Sequence, residues 1–362
     1  MLEKIIIKNY KSIKNAEVEL RNTNILIGSN GSGKSNFISF FELVNAILNQ
    51  NLAGYILKRG GFERFLYNGK KESKNIVGLL DFDNTNACYF DLRLTIDNNV
   101  FIKELSDFFN NNNDKEKSYL KKWNKKVWNQ NVPESDIISN PKWRAEYIRK
   151  YLKSFTVYHF HDTSITSSMR SECNISDNES LRHDGSNLAA YLYRLQQNEN
   201  QHFLIIESVI RSVAPYFKQF KLREDPINMG TIKLEWEQIG SDAYFDAYSF
   251  SDGTLRFVAL ATLLLQPMKN ATIIIDEPEL GLHPFAINKL AAMIKRAAKH
   301  NQVIVATQSV SLINAFSPED IIVTDRNGST SYRRLVADGL KEWIEDYNLG
   351  DIWEKNLIGG QP

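Results

Sequence analysis

The chain is poor in cysteine: its 362 residues hold two, Cys88 and Cys173, with no C-x-x-C pair. That excludes a disulfide framework or a zinc hook and suits a reducing compartment, with both thiols reading as ordinary buried or half-buried side chains. Charge imbalance is lacking as well. With 44 Lys and Arg against 43 Asp and Glu, the net charge is +1, so no global field draws the chain to nucleic acid or anionic lipid, and any such binding has to come from a local patch. No apolar run approaches the ~18–20 residues of a membrane span. The opening run Ile5-Ile6-Ile7 is too short for a signal segment and is followed at once by Lys8. A soluble, cytoplasmic protein is expected. Internal repeats and sustained heptads are missing too, which excludes a solenoid or a long coiled coil. What remains is a globular chain, 43% hydrophobic and long enough for about two compact units with a sizeable core.

One stretch organises the rest. The apolar run Ile25-Leu26-Ile27 ends at Gly28, and Phe37, Ile38, Phe40, Phe41, Val44, Ile47 and Leu48 then recur at helical spacing. Between them Gly28-Ser29-Asn30-Gly31-Ser32-Gly33-Lys34-Ser35 has the form G-x-x-x-x-G-K-S, a P-loop in its strand–loop–helix setting. Glycines let the backbone curl so that several N–H groups point at phosphate oxygens, and the helix N-terminus adds its positive end. Lys34 then reaches the β- and γ-phosphates, and Ser35 offers a hydroxyl to Mg²⁺. The alternative, a glycine-rich turn that binds nothing, leaves the lysine, the serine and both flanking elements without a reason. The chain is expected to bind ATP with Mg²⁺.

Upstream, residues 2–8 and 16–27 read as strands, joined by a polar loop, Asn9-Tyr10-Lys11-Ser12-Ile13-Lys14. Downstream, 76–82 and 87–103 read as a meander with a turn at Asp97-Asn98-Asn99. Residues 114–153 differ in character, with lysines and arginines interleaved with Trp123, Trp128, Trp143, Tyr147 and Tyr151. Two readings stay open: a solvated helical insertion whose aromatics pack on the body, or a nucleic-acid or partner surface over 115–153. Residues 155–160 read as a strand, 188–195 and 203–213 as helices, and 231–237 with 244–248 as an antiparallel pair.

The chemistry returns at Ser249. Phe250-Ser251-Asp252-Gly253-Thr254 precedes an apolar helix over 257–265, and Ile273-Ile274-Ile275-Asp276-Glu277 is a buried strand ending in acids. Such an end can hold Mg²⁺ through Asp276 and orient or deprotonate an attacking water through Glu277. A helix over 285–299, a strand over 303–307 with Gln308 at its end, and a strand over 321–323 follow. Strands alternating with helices argue for a parallel sheet whose carboxyl edge carries the site.

With these motifs the sequence resembles the ABC-type ATPase superfamily in its SMC/RecF/OLD branch, and most of all the stand-alone AAA_21-type ATPases. Ile7-Lys8-Asn9-Tyr10-Lys11-Ser12 matches that branch's opening strand and loop, and Gly28–Ser35 its Walker A. Ser251-Asp252-Gly253-Thr254 stands where the signature stands, and Ile273–Glu277 is Walker B. Glu279-Leu280-Gly281-Leu282-His283-Pro284 resembles the D-loop, Gln308 falls at the switch position, and the ending through Gly359-Gly360 is similar too. The resemblance implies an α/β fold: a P-loop head with a mixed sheet, a parallel core and an antiparallel N-terminal meander, formed by 1–109 and 231–362, with a mainly helical lobe over 110–230. It implies ATP and Mg²⁺ held by residues 28–36, Lys11 and Ser12, with Ser35 and Asp276 on the metal and Lys34, Glu277 and Gln308 catalytic. It also implies a homodimer in which Ser251 and Gly253 of one copy complete the pocket of the other.

Some positions depart from the family pattern. Asp252 replaces the usual first glycine of the signature. Gln308 stands where transporters have histidine and carries no proton charge, so turnover is expected to be slow. A Q-loop glutamine is not evident, which leaves His161 or Asp162 as candidates, and His283 reads as a structural D-loop residue before a ligand. The OLD relatives carry a nuclease domain after the ATPase, whereas no D-x-D cluster follows Glu277 here. A separately encoded effector, plausibly a nuclease, in DNA repair or anti-phage defence is therefore expected. A non-hydrolysing ATP-sensing scaffold and a transporter's nucleotide-binding subunit are the alternatives, the latter disfavoured by the long insertion.

Overall fold

The computed structural model describes residues 1–83, 86–109, 124–140, 143–268, 270–340, 343 and 347–361. It opens with strands β1 (Leu2–Tyr10), β2 (Ile13–Glu19) and β3 (Thr23–Ile27), then helices α1 (Lys34–Leu48) and α2 (Leu52–Lys58). Strands β4 (Asn75–Phe82), β5 (Asn86–Leu94), β6 (Val100–Phe109) and β7 (Asn124–Val132) follow as an antiparallel meander. With β1 and β2 they build one sheet in the order β2-β1-β4-β5-β6-β7.

Helix α3 (Trp143–Leu152) leads into β8 (Phe155–Tyr158). Next come β9 (Cys173–Asn174), the helix pair α4 (Leu188–Asn198) and α5 (Asn200–Val213), and β10 (Phe217–Phe220), β11 (Thr231–Ile232), β12 (Glu235–Gln238) and β13 (Tyr244–Asp246). The chain then alternates: α6 (Asp252–Leu265), β14 (Thr272–Asp276), α7 (Pro284–Ala297), β15 (Gln302–Thr307), α8 (Val310–Ile313), β16 (Ile321–Asn327), β17 (Ser329–Arg334) and α9 (Leu349–Glu354). The second large sheet runs β17-β16-β3-β15-β14-β8. All its pairings are parallel except β16 with β17.

The parallel strands are apolar on both faces because both faces are covered. Ile25, Ile27, Ile273, Ile275, Val303 and Val305 join the core under α4 to α7. Leu26, Ile274, Ile304, Ala306 and Ile322 join the core on the opposite face, which α1 and the antiparallel sheet enclose. Helix α6 is buried continuously from Leu255 to Leu265, as a helix apolar all round has to be. Helix α1 is the filling between the two sheets. Its Phe40 stacks on Phe90 at 5.6 Å and meets Tyr10 edge-on at 5.3 Å.

The structure corrects the sequence reading in several places. Asn9 to Lys14 is a tight turn rather than a loop, since Tyr10 and Ile13 pair across it and both are fully buried. Residues 124–132, expected within a helical lobe, are a strand paired with β6, because the meander's edge offers them unpaired backbone. β8, in the same range, belongs to the parallel sheet beside β14. Of the interleaved aromatics, Trp128 and Tyr151 pack against the core, while Tyr147 stays 37% exposed. Trp123 and the lysines at 115, 117, 121, 122 and 142 lie outside the described residues. The 231–237 and 244–248 pair appears as β12 with β13. β17 has no counterpart in the sequence reading.

Gly78 on β4 faces α1, where a Cβ would collide with Phe90 and stand 2.7 Å from Phe40. A Gly78→Ala substitution is expected to destabilise the fold by about 1–3 kcal/mol through overpacking. Thermal unfolding checks this, and an unchanged midpoint would show that the helix–sheet contact yields.

Candidate active site

Strands β3, β8, β14 and β15, four of the five parallel strands, deliver their carboxyl ends to one edge, where the phosphate loop, the segment after β8, the acidic pair and Gln308 begin. Residues 28–33 leave β3 and turn into α1. Gly31 and Gly33 have φ of +78° and +118°, the left-handed region that favours glycine. At Gly33 a Cβ would also collide with Thr330 of β17. That close approach has a purpose: the Thr330 hydroxyl donates to Ser32 O at 2.8 Å and lies 2.7 Å from Ser12 Oγ. Ser12 Oγ in turn accepts from Asn36 Nδ2 at 2.7 Å, and the Tyr332 hydroxyl donates to Gly33 O at 2.9 Å. On the other side, Ser29 N donates to Gly360 O at 2.5 Å. The loop is therefore held from outside by β17, by the β1–β2 turn and by residues 359–360.

Lys34 is 4% exposed, and its ammonium donates to Gly28 O at 2.6 Å and Ser29 O at 3.0 Å. Burial pushes its pKa down, opposed by the carboxylates of Glu277, Asp276 and Glu279. Burial pushes the Asp276 carboxyl up, the neighbouring Ser35 hydroxyl opposes this, and Glu277 adds to it. Asp276 Oδ1 is buried and finds no hydrogen-bond partner among the described residues. A desolvated carboxylate oxygen beside a hydroxyl is the donor set a hard divalent cation takes, so Asp276 and Ser35 fit Mg²⁺.

Glu277 sits at φ +41°, a left-handed conformation costly for a residue with a Cβ and one that clusters at functional sites. Its Oε1 accepts from Gln308 Nε2 at 2.7 Å, and the same amide nitrogen donates to Asn30 Oδ1 at 2.8 Å. Gln308 thus joins the phosphate loop to the acidic strand end. Glu279 fixes Gln308 from behind, accepting from its backbone N at 3.2 Å and from Thr307 Oγ1 at 2.5 Å. Burial raises the Glu279 pKa.

His161 reaches the edge as well, its Nε2 lying 2.7 Å from Asp276 O. Asp162 turns away to accept from Ser164 N and Oγ, at 3.1 and 2.6 Å. Lys11 bonds Ser39 Oγ at 2.7 Å, and the Ser12 hydroxyl is engaged beneath the loop, so Ser12 supports the loop's shape. His283 caps α7 by accepting from Phe285 N at 3.2 Å.

Ser251 caps α6: its hydroxyl accepts from Thr254 N at 3.2 Å and lies 2.8 Å from Thr254 Oγ1. It is exposed. Gly253 is required by proximity, since a Cβ there would stand 2.5 Å from Gly281 O. Two buried arginines, neither marked by any sequence motif, hold this region. Arg170 donates to Thr163 O at 3.0 Å, to Phe250 O at 3.1 Å, to Ala247 O and to Asp252 Oδ1 at 2.8 Å. Arg256 donates to Phe160 O and His161 O at 2.9 and 2.8 Å and to Leu280 O. The head of α6, the segment after β8 and Leu280 are therefore tied together by buried guanidinium groups.

The AAA_21 family model, described as "AAA domain, putative AbiEii toxin, Type IV TA system", matches residues 23–314. The Old nuclease of Escherichia phage P2 is 24% identical over 375 residues, covering 94% of this chain and 62% of the phage protein; the chain thus spans less than two thirds of that relative. Among solved structures, an Smc head bound to the C-winged helix domain of ScpA superposes with a TM-score of 0.60 at 15% identity, covering 94% of this chain and 99% of that one. An Smc head with an extended coiled coil, bound to the C-terminal domain of ScpA derived from Pyrococcus furiosus, gives 0.56 at 16%, covering 95% and 98%. The fold is that of an SMC-type ATPase head.

An unpartnered buried carboxylate oxygen costs about 1–3 kcal/mol. Asp276→Asn is therefore expected to raise the melting temperature of the ligand-free protein by a few degrees. The gain depends on pH. The raised pKa of Asp276 means that its favourable protonated state is available below the unfolded value near 4 and is lost as pH rises through the folded value. The variant's advantage is thus larger near neutral pH than at about pH 4. Melting curves at the two pH values check this, and a variant less stable than wild type at neutral pH would contradict it.

Proposed function

The chain belongs to the AAA_21 family, and from that premise we propose that it binds and hydrolyses ATP as a dimeric switch, two copies sharing two ATP·Mg²⁺. The observation that carries this reading is the convergence, at one sheet edge, of the glycine loop, Lys34, the Asp276–Glu277 pair and Gln308, with the side chain of Gln308 bonded to both sides. Amides of residues 31–36 and the Lys34 ammonium meet the phosphates, and ATP draws Lys34 off the carbonyls it now holds. Ser35 and Asp276 would hold Mg²⁺, whose charge offsets that of the phosphates. Glu277, oriented by Gln308, accepts the proton of the attacking water. Gln308 donates a hydrogen bond without adding positive charge, so hydrolysis is slow and the bound state persists.

Ser251 supports the shared arrangement. It stands exposed at the N-terminus of a 14-residue helix, its loop held by Arg170. There its hydroxyl and the first amides of α6 are available to a phosphate carried by a second copy. We place the switch in the cytoplasm, in defence or DNA repair, driving a nuclease effector; the likeness to the Old nuclease supports that class of partner.

Glu277→Gln is expected to keep ATP binding while lowering hydrolysis by about 10²–10⁴-fold. In this variant ATP·Mg²⁺ should shift the solution mass from one copy toward two. Wild-type turnover by the variant, or a mass indifferent to ATP, would contradict the proposal.

A further inference from the structure

At the opposite end of the parallel sheet, where β3, β8, β14 and β15 begin, a cavity of about 570 Å³ opens between the sheet and α3. A second hollow, of about 490 Å³, shares Tyr147 and Lys150 with it and adds Arg149 and Lys153. The first part of the wall is aromatic and fixed. Tyr151 stacks on Phe82 at 4.6 Å and donates its hydroxyl to Asp83 Oδ2 at 2.7 Å. Tyr147 packs edge-on against Tyr151 at 5.2 Å, with its hydroxyl 3.0 Å from that of Tyr151, and remains 37% exposed. A ring held in this way stacks on a ligand with little entropy left to lose.

The second part is cationic. Lys150, Lys153 and Lys299 are exposed, and none of them has an ion pair among the described residues. The acidic groups facing them are Asp83 and Glu146. Asp83 is already engaged by the Met1 ammonium at 2.5 Å and by Tyr151. The remaining wall is amide-rich: Asn301 and Gln302 spend their side chains on backbone carbonyls and form a satisfied floor, while Asn270 is exposed at the rim. Three exposed lysines against two carboxylates, one of them already engaged, leave the wall net positive, and beside a half-exposed aromatic ring this suits a ligand that is anionic and planar at once.

We infer that this cavity binds a nucleoside phosphate, its base against Tyr147 and its phosphate on Lys150 and Lys299. The ligand is either a free nucleotide or one unit of a single strand. The inference goes beyond the ATPase reading and does not depend on it, since the cavity lies at the amino ends of strands whose carboxyl ends carry the P-loop.

The test uses the full chain without ATP or Mg²⁺, reading fluorescence anisotropy of a short fluorescein-labelled oligothymidylate with unlabelled thymidine monophosphate as competitor. The double charge reversal Lys150→Glu with Lys299→Glu should weaken binding at least about tenfold and reduce the slope of log affinity against log salt by at least about one. Tyr147→Ala should weaken it at least about fivefold, and Tyr147→Phe should not. ATP hydrolysis, measured separately, should stay at the wild-type rate in all three variants, so loss of the ATPase reading and loss of this one are told apart. Competition by the monophosphate identifies a free-nucleotide site, and competition by unlabelled strand alone identifies a strand-binding site. If neither probe binds the wild type, or if the double reversal binds as the wild type does, the inference is wrong.

Discussion

Strand β15 pairs in parallel with β3 on one side and β14 on the other. Its register sets Thr307 beside Ile27 and Ala306 beside Asp276, so Gln308 leaves the sheet with the phosphate loop on one side and the acids on the other. Backbone hydrogen bonds fix that spacing, and Val303, Ile304, Val305 and Ala306, all fully buried, lock it from both faces. A slip of one residue would exchange the two cores and part Gln308 from Asn30 and Glu277 together. The short chain of bonds Asn30–Gln308–Glu277 follows directly from strand register.

On that frame the site accumulates electrostatic cost. Lys34, Asp276 and Glu279 are all desolvated, with pKa values displaced toward their neutral forms. Glu277 adds a left-handed backbone. A multiply charged ligand with its cation would relieve these costs together, since phosphate oxygens would give Lys34 a counter-charge and a divalent ion would give Asp276 one. Arg256 and Arg170 tie the segment after β8 to the head of α6 through buried guanidinium groups.

The parts of this architecture governed by local rules were legible in the sequence. The P-loop, the Asp276–Glu277 strand end and the alternation of strands and helices after Ser251 rest on spacing and composition alone, and the structure places them as read. The rest is non-local. Thr330 and Tyr332 support the phosphate loop from about 300 residues away in sequence, and β17 itself, polar and on a sheet edge, has no apolar period to betray it. Arg170 and Arg256 read as ordinary charged residues until backbone carbonyls from distant loops surround them. Residues 124–132 misled because lysine and asparagine dominate a strand whose pairing, not its composition, makes it one. Ser12, which the resemblance puts at the nucleotide, has its hydroxyl beneath the loop, bonded to Asn36 and Thr330.

In the proposed dimer each pocket takes its phosphate loop from one chain and its serine from another. Mixing two inactive variants tests it most directly: Lys34→Ala, which damages the loop, and Ser251→Arg, which blocks the head of α6. ATP hydrolysis should be lost in each alone and should reappear on mixing, because a mixed dimer holds one pocket with an intact loop and an intact serine. A mixture as inactive as its parents, or a Ser251→Arg protein that hydrolyses ATP at the wild-type rate, would contradict the claim.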